Sequence, residues 1–344
     1  MIESIARRRL QALRLARVEP SASAVEIVEA FGAVQAQDYN AVKWALALRA
    51  PRVTSADVDR ALDEGRLLRT HVMRPTWQLV TPAHIGALLA LTAPRVHQAC
   101  AFLNRTVGLD AALRKRTQRV IRAALSDAPN LTRAEISAAL TRARIDAAGV
   151  RLAAIVIAAE LDALVCSGPR RGREFTYALF ENRVPATPAV SREEELRYLT
   201  ERYFSMHGPA TVRDFAWWSG LTVATAREGI EMVPSLKPEA IEGKTYWSDG
   251  QRPAARTRTL HLLPAFDEYL VGYRDRDAVP YRWPTSGGRG SLGTIFVGAE
   301  LVGCWRRVIR GKAVQVETNM LRALTAGERR ALTTATRGYA AFYS

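Results

Sequence analysis

Apolar residues recur at helical spacing in successive blocks, and each set of blocks runs into a short stretch where apolar and polar residues alternate. Residues 4–17 put Ile5, Leu10, Leu13 and Leu15 toward a core with arginines outside, and Pro20-Ser21 ends that block. A second block runs from Ser23 through Val25, Ile27, Val28 and Phe31, and Trp44 to Leu48 follows as a short apolar segment. A third opens at Thr54-Ser-Ala-Asp57, a helix N-cap signal, and carries Val58, Leu62 and Leu67. Residues 68–80 then change to strand texture around Pro75. Helices followed by a hairpin is the order of a winged helix.

The order returns twice. Residues 111–125, a capping-box pattern at Leu131-Thr-Arg-Ala-Glu135 and an apolar run at 150–164 predict three helices, and Val165 to Tyr177 predicts two strands joined by a basic, Gly-rich turn. After a Pro-rich linker at 184–188, helices are expected at 191–207, 211–218 and 222–232, with strands at 236–241 and 246–248. No sequence self-similarity accompanies this, so the repetition is one of structure. The last segment reads differently: strands at 259–263, 293–297, 301–305 and 312–317, a Gly-rich loop at 286–290 and a closing helix from Thr325. It is expected to pack on the third unit. The fold class is therefore α+β, mainly helical, with tandem winged helix-turn-helix units at 1–108, 109–184 and 185–344 forming a concave surface. Such units usually read DNA, the third helix in the major groove and the wing on the backbone, though they also dock proteins.

Charge narrows the partner. Lys and Arg number 49 against 34 Asp and Glu, a net +15 in 344 residues, and Arg far outnumbers Lys, which suits bidentate contact with phosphate. Either a polyanionic partner or the arginine usage of a GC-rich genome accounts for this excess. Cys100, Cys166 and Cys304 are odd in number and lack paired spacing, so neither a disulfide framework nor a metal site is indicated, and a reducing cytoplasm is expected. No run approaches the apolar length of a membrane span.

The chemistry concentrates at Phe31-Gly-Ala-Val-Gln-Ala-Gln-Asp38. On a helix Gln35 and Gln37 would point about 200° apart, but in an extended segment both face one side. Gly32 and Asp38-Tyr-Asn40 favour the extended form. Two amide carbonyls can orient a water molecule, yet they are too weak as bases to take its proton, so the pair suits a leaving group that departs easily. Surface or capping amides are the alternative. Nearby, Trp77 can stack on a base or fill a core, Arg74 can bind phosphate or cap a helix, and His71 is either a proton carrier or a structural residue. The turn Arg170-Arg-Gly-Arg173 is either a wing on phosphates or a solvated loop. Asp267, Glu268, Tyr273 and Arg276 are expected to form a polar network at the interface of the third unit.

Four stretches carry a family resemblance: Ala33 to Asp38; Arg69-Thr-His-Val-Met-Arg-Pro-Thr-Trp77; Leu262-Leu-Pro-Ala-Phe-Asp-Glu-Tyr-Leu-Val-Gly-Tyr-Arg-Asp-Arg276; and Val302-Gly-Cys-Trp305. Together they resemble the AlkZ-type winged-helix DNA glycosylases, bacterial enzymes that release alkylated and cross-linked guanines. The resemblance implies that Gln35 and Gln37 are the catalytic pair. Arg69, His71, Arg74, Thr76 and Trp77 are candidate substrate- or DNA-binding residues beside that pair, and Arg170, Arg171 and Arg173 are the candidates for a wing on phosphates. No cofactor or metal is implied, the partner is double-stranded DNA with alkylated bases, and the enzyme is expected to be a monomer of the cytoplasm and nucleoid. Lys43 is the nearest lysine, and none is placed beside the glutamines for Schiff-base chemistry, so a monofunctional glycosylase is expected. Ala36 is smaller than the family's usual apolar residue, and Arg-Pro-Thr replaces a common Arg-Gly-Thr. Both departures bear on substrate range. A non-catalytic DNA-binding regulator on the same scaffold is the other reading.

Overall fold

Short polar side chains set most helix starts. Ser23, Thr54, Thr132, Ser191, Thr211 and Thr325 each accept a main-chain N–H from the residue three ahead, whose carboxylate returns the bond. In a computed structural model that describes residues 2–16, 22–186, 190–250, 259–279, 292–311 and 313–343, the elements fall in four groups. The first holds α1 (Ile2–Ala12), α2 (Ala24–Phe31), β1 (Val34–Gln35), α3 (Tyr39–Arg49), α4 (Ser55–Asp63), β2 (Leu68–His71), β3 (Trp77–Val80) and α5 (Pro82–Thr106). The second holds α6 (Ala111–Asp127), β4 (Leu131–Thr132), α7 (Arg133–Arg142), α8 (Gly149–Leu161), β5 (Val165–Ser167), β6 (Thr176–Leu179) and α9 (Phe180–Arg183). The third holds α10 (Arg192–His207), α11 (Val212–Ser219), α12 (Val223–Glu231), β7 (Lys237–Ile241) and β8 (Lys244–Ser248). The last holds β9 (Leu260–Leu263), α13 (Glu268–Val271), β10 (Gly293–Val297), β11 (Glu300–Arg310), β12 (Ala313–Met320) and α14 (Ala326–Phe342).

The first two groups build antiparallel three-stranded sheets of matching order, β1-β3-β2 and β4-β6-β5. In the third, β7 and β8 pair and Ala210 bridges to Trp247. The last is a four-stranded sheet of order β12-β11-β10-β9.

Two helices depart from expectation. Residues 44–48, read as a short apolar segment, lie inside α3, whose start is set by the Asp38 carboxylate accepting the Ala41 N–H at 3.0 Å. Its apolar stripe is blurred because nearly every side from Val42 to Ala47 is covered. The 25-residue α5 was not expected as an element; it buries Ile85, Leu88, Leu89, Ala93 and Val96 and tolerates Pro94 in its interior. The Gly-rich loop at 286–290 and the start of the strand expected at 312 lie outside the described residues.

The core joins the two ends of the chain. One apolar cluster runs from Phe31, Leu46 and Leu79 to Tyr203, Phe215, Trp218 and Tyr269. Each such side chain contributes about 1.5–3 kcal/mol when fully buried. The second group keeps its own cluster around Ile121, Leu140, Ile155 and Tyr177. The final segment meets the third group through Glu268 and Tyr273, and its sheet packs in addition on α3 of the first group: Trp44 and Ala47 lie among Leu262, Ile295, Trp305 and Tyr339, and the Trp44 indole N–H donates to the Leu262 carbonyl at 2.8 Å. α1 reaches the third group. Buried Arg9 stacks 3.7 Å over the Tyr273 ring and donates to the Pro209 carbonyl and to Asp214.

Candidate active site around Gln35 and Gln37

Gly32, with φ of 76°, ends α2 and turns the chain into β1, a conformation that favours glycine. β1 is an edge strand. Ala36 donates its N–H to the Trp77 carbonyl on β3 at 2.8 Å, so by alternation the Gln35 N–H points away from the sheet. It meets Glu268 Oε1 at 2.8 Å. The segment is extended as far as Ala36, and both glutamine side chains reach the turn between β2 and β3. Arg74 Nη2 donates to Gln35 Oε1 at 2.8 Å, and the Trp77 N–H donates to Gln37 Oε1 at 3.3 Å. Gln35 is 7 % exposed, whereas Gln37 is open to solvent. Each amide carbonyl is thus held by one protein donor and keeps a second lone pair.

The turn itself is over-determined. Met73 adopts a left-handed conformation with φ of 67°, and its N–H bonds to Thr92 Oγ1 at 3.1 Å. Its carbonyl lies against Gly220, where a Cβ would approach to 1.8 Å, so α11 can sit here only with glycine at its end. Arg69 secures the other side. Its Nε donates to the Ala36 carbonyl at 3.0 Å and its Nη2 to that of Gln37 at 3.4 Å, while the guanidinium lies 4.1 Å over Trp77 and 4.8 Å over Phe175. Burial lowers the pKa of both Arg69 and Arg74 from the ordinary guanidinium value.

Behind β1 is a buried polar floor. Glu268 Oε2 accepts from His207 Nε2 at 3.1 Å and from Trp218 Nε1 at 3.0 Å. Burial alone would raise its pKa, but the His207 hydrogen bond and charge, the Gln35 N–H and Arg74 bring it below the ordinary carboxylate value. Next to it, Asp267 takes a bidentate bond from buried Arg49 at 2.8 and 2.9 Å. Adjacent carboxylates on α13 therefore hold β1 and α3, the two elements that flank Gln37. The polar network expected for Asp267, Glu268 and Tyr273 is present, and it reaches further toward Gln35 than the sequence indicated.

The other expected residues divide. Thr76 Oγ1 accepts from Gln78 Nε2 at 2.9 Å within the hairpin, and Trp77 is half-buried between Arg69 and His71. His71 pairs through Nδ1 with Glu160 on α8, which makes it a buried joint between the first and second groups. Arg170, expected on phosphates, bonds instead to Asp63 at 2.8 Å and Asp59 at 3.0 Å, so its charge is already matched. Arg171 pairs with Glu135 at 2.7 Å. Arg173 is exposed, and among the described residues no carboxylate pairs with it. Lys43 Nζ donates to Ser55 at 2.7 Å and Asp59 at 3.1 Å, and burial lowers its pKa.

Sequence reasoning missed the neighbour on the other side of Asp38. β11 and β12 continue past Trp305, where β10 ends, as a ribbon carrying Arg306, Arg307 and Arg310. Arg306 and Arg310 share Glu317, and Arg307 lies 4.6 Å over Tyr343, whose hydroxyl donates to the Asn40 carbonyl at 2.5 Å. The density of arginine at 306–310 was the available signal. Among the described residues no group of His, Cys, Asp or Glu is arranged to hold a metal ion, and no helix is long and apolar enough to cross a membrane.

The chain is similar to known proteins over most of its length. A family model described as DNA glycosylase AlkZ-like matches residues 28–342. A curated Streptomyces sahachiroi protein named interstrand DNA cross-link repair glycosylase is 26 % identical over 318 residues, 85 % of this chain and 84 % of that one. The solved structure of the Streptomyces sahachiroi DNA glycosylase AlkZ shares the fold, with a TM-score of 0.76 at 22 % identity over 98 % of this chain and 95 % of that one.

Proposed function

The chain belongs to the AlkZ-like DNA glycosylase family, and on that premise we propose that it is a monofunctional enzyme hydrolysing the N-glycosidic bond of N7-alkylated guanines in duplex DNA. The three helix-and-hairpin groups act as tandem winged-helix units of a monomer, and Gln35 and Gln37 do the chemistry. The observation that carries this reading is that both side chains reach one turn, Arg74 to Trp77, with their carbonyls held but not saturated.

N7-alkylation gives the base a positive charge before any enzyme acts. Water adds to C1′, the C1′–N9 bond breaks, and its electron pair neutralises the cationic ring of the leaving base. The surplus proton of the water passes to solvent, because a neutral amide cannot hold it. The free lone pairs of Gln35 and Gln37 hold the water and aim their dipoles at the developing sugar cation. No carboxylate pair of the sugar-hydrolase kind is needed. Hydrolysis without a Schiff base is supported by Lys43, whose amine is directed at Asp59 and Ser55. Arg173 and the ribbon arginines are the phosphate contacts of this reading. The name of the curated relative extends the proposed substrates to interstrand cross-links.

A panel of single-lesion duplexes scored for free base and abasic product tests the proposal. Release of N7-methylguanine with uracil and hypoxanthine spared is the expected result. Comparable release of uracil would overturn the amide-only mechanism, and absence of free base from every duplex would overturn the activity.

A further inference from the structure

Edge strands leave a row of N–H groups without a partner in the sheet, and such donors are costly when buried. β1 has this problem at Gln35. The donor is satisfied by a carboxylate 233 residues away, although a buried carboxylate is itself expensive to remove from water. Two further donors make Glu268 tenable there, His207 Nε2 and Trp218 Nε1, both on the other oxygen. His207 is enclosed by Tyr203, Phe31, Trp218 and Tyr273, and its Nδ1 has no partner. The enclosure is buried and aromatic, so the charge is little screened by bulk solvent. The titratable side chains around it are His207 from α10, Arg74 from the hairpin turn, and the buried phenols Tyr203 and Tyr273; Arg74 itself donates to Gln35 Oε1. Glu268 therefore touches Gln35 at the main chain.

We propose that Glu268 is a positioning residue for base release: it fixes the Gln35 main chain from behind and places a buried negative charge one peptide group away from the sugar cation that forms. This inference rests on the function proposed above. The Gln35 carbonyl must point at one place for its dipole to count, and β1 is too short to hold it alone. Its pairing to β3 covers Val34 and Gln35 only. A displacement of about 1 Å at such a site costs on the order of 10²-fold in rate. A carboxylate behind the strand also supplies what two neutral amides lack, a full negative charge directed at a developing positive one.

The test compares E268Q, which keeps the shape and removes the charge, with W218F, which removes another donor to the same carboxylate and leaves the Gln35 contact. Single-turnover release of N7-methylguanine, duplex affinity and hydrogen exchange at the Gln35 amide are read on the full chain. For E268Q we expect release to slow by about 10- to 100-fold, affinity to stay within about threefold, and the Gln35 amide to exchange faster. W218F, which keeps the charge and the Gln35 contact, is expected to slow release by less than E268Q does. Parent-like release by folded E268Q overturns the inference, and so does an equal loss in W218F, which would mark a merely structural network. If E268Q does not fold, E268D keeps the charge and withdraws the oxygen from Gln35; slowed release is expected, and an unchanged rate again overturns the inference. If the parent itself releases no base, the proposed function fails, and unchanged amide exchange at Gln35 in E268Q or E268D separately removes the positioning role.

Discussion

Two short edge strands, β1 and β4, stand at the same place in sheets of the same order, and each has an outward main-chain donor to satisfy. In β4 the donor is Thr132 N–H, and Glu135 accepts it at 2.7 Å as half of a capping box that starts α7 at once. In β1 the donor is Gln35 N–H, and its acceptor is Glu268, from the far end of the chain. A local solution closes β4 and leaves no unspent polar group. The remote solution leaves Ala36 and Gln37 as an interposed segment between β1 and Asp38, which caps α3, and that segment carries the second of the two proposed catalytic glutamines. The hairpin turns differ in the same sense. The turn of the first sheet folds back on the glutamines through Arg74 and Trp77, whereas the turn of the second presents Arg173 to solvent.

Breaking the first strand's chemistry should have the largest effect. Gln35→Ala or Gln37→Ala is expected to slow base release on the order of 10²–10³-fold while duplex affinity stays near that of the parent. Quenched single-turnover assays beside equilibrium binding would show it, and a double variant as fast as the parent would erase the distinction between the strands.

The matching change in β4 should affect stability alone. Thr132→Ala removes the cap and should cost about 1 kcal/mol in denaturant unfolding, with release per folded molecule unchanged. A large loss of activity would mean that β4 shares the work of β1.

The smallest effect should separate the arginines of the second turn. Arg173→Ala is expected to make the dependence of log affinity on log salt shallower by up to about 0.9. Arg170→Ala should leave that slope alone and lower stability, because Arg170 already faces Asp59 and Asp63. Equal slopes for the parent and Arg173→Ala would return the whole turn to a solvated loop.

Much of this was legible beforehand for local reasons. Capping signals at Thr54, Thr132, Ser191 and Thr325 act within four residues, so helix starts could be read directly. The extended form at Gln35 followed from Gly32 and the polar residues after it, but the chain bends at Gln37, one residue sooner than expected. α3 was not legible, since a helix buried on nearly all sides loses the periodicity that announces it. The ion pairs of Arg170 were not legible, because the charge of a side chain says nothing about the carboxylate opposite. The packing of the last sheet on Trp44 was likewise hidden, as apolar pattern marks a buried face without naming what covers it.

By itself, then, the sequence determined the helix starts, the hairpins and the excess of positive charge, consequences of spacing and side-chain chemistry within a few residues, while the family resemblance singled out the two glutamines. Only the tertiary structure decided what those glutamines rest on. Burial makes an unpaired N–H and an uncompensated carboxylate each untenable alone, and folding brings Gln35 and Glu268, 233 positions apart, to 2.8 Å, where each satisfies the other.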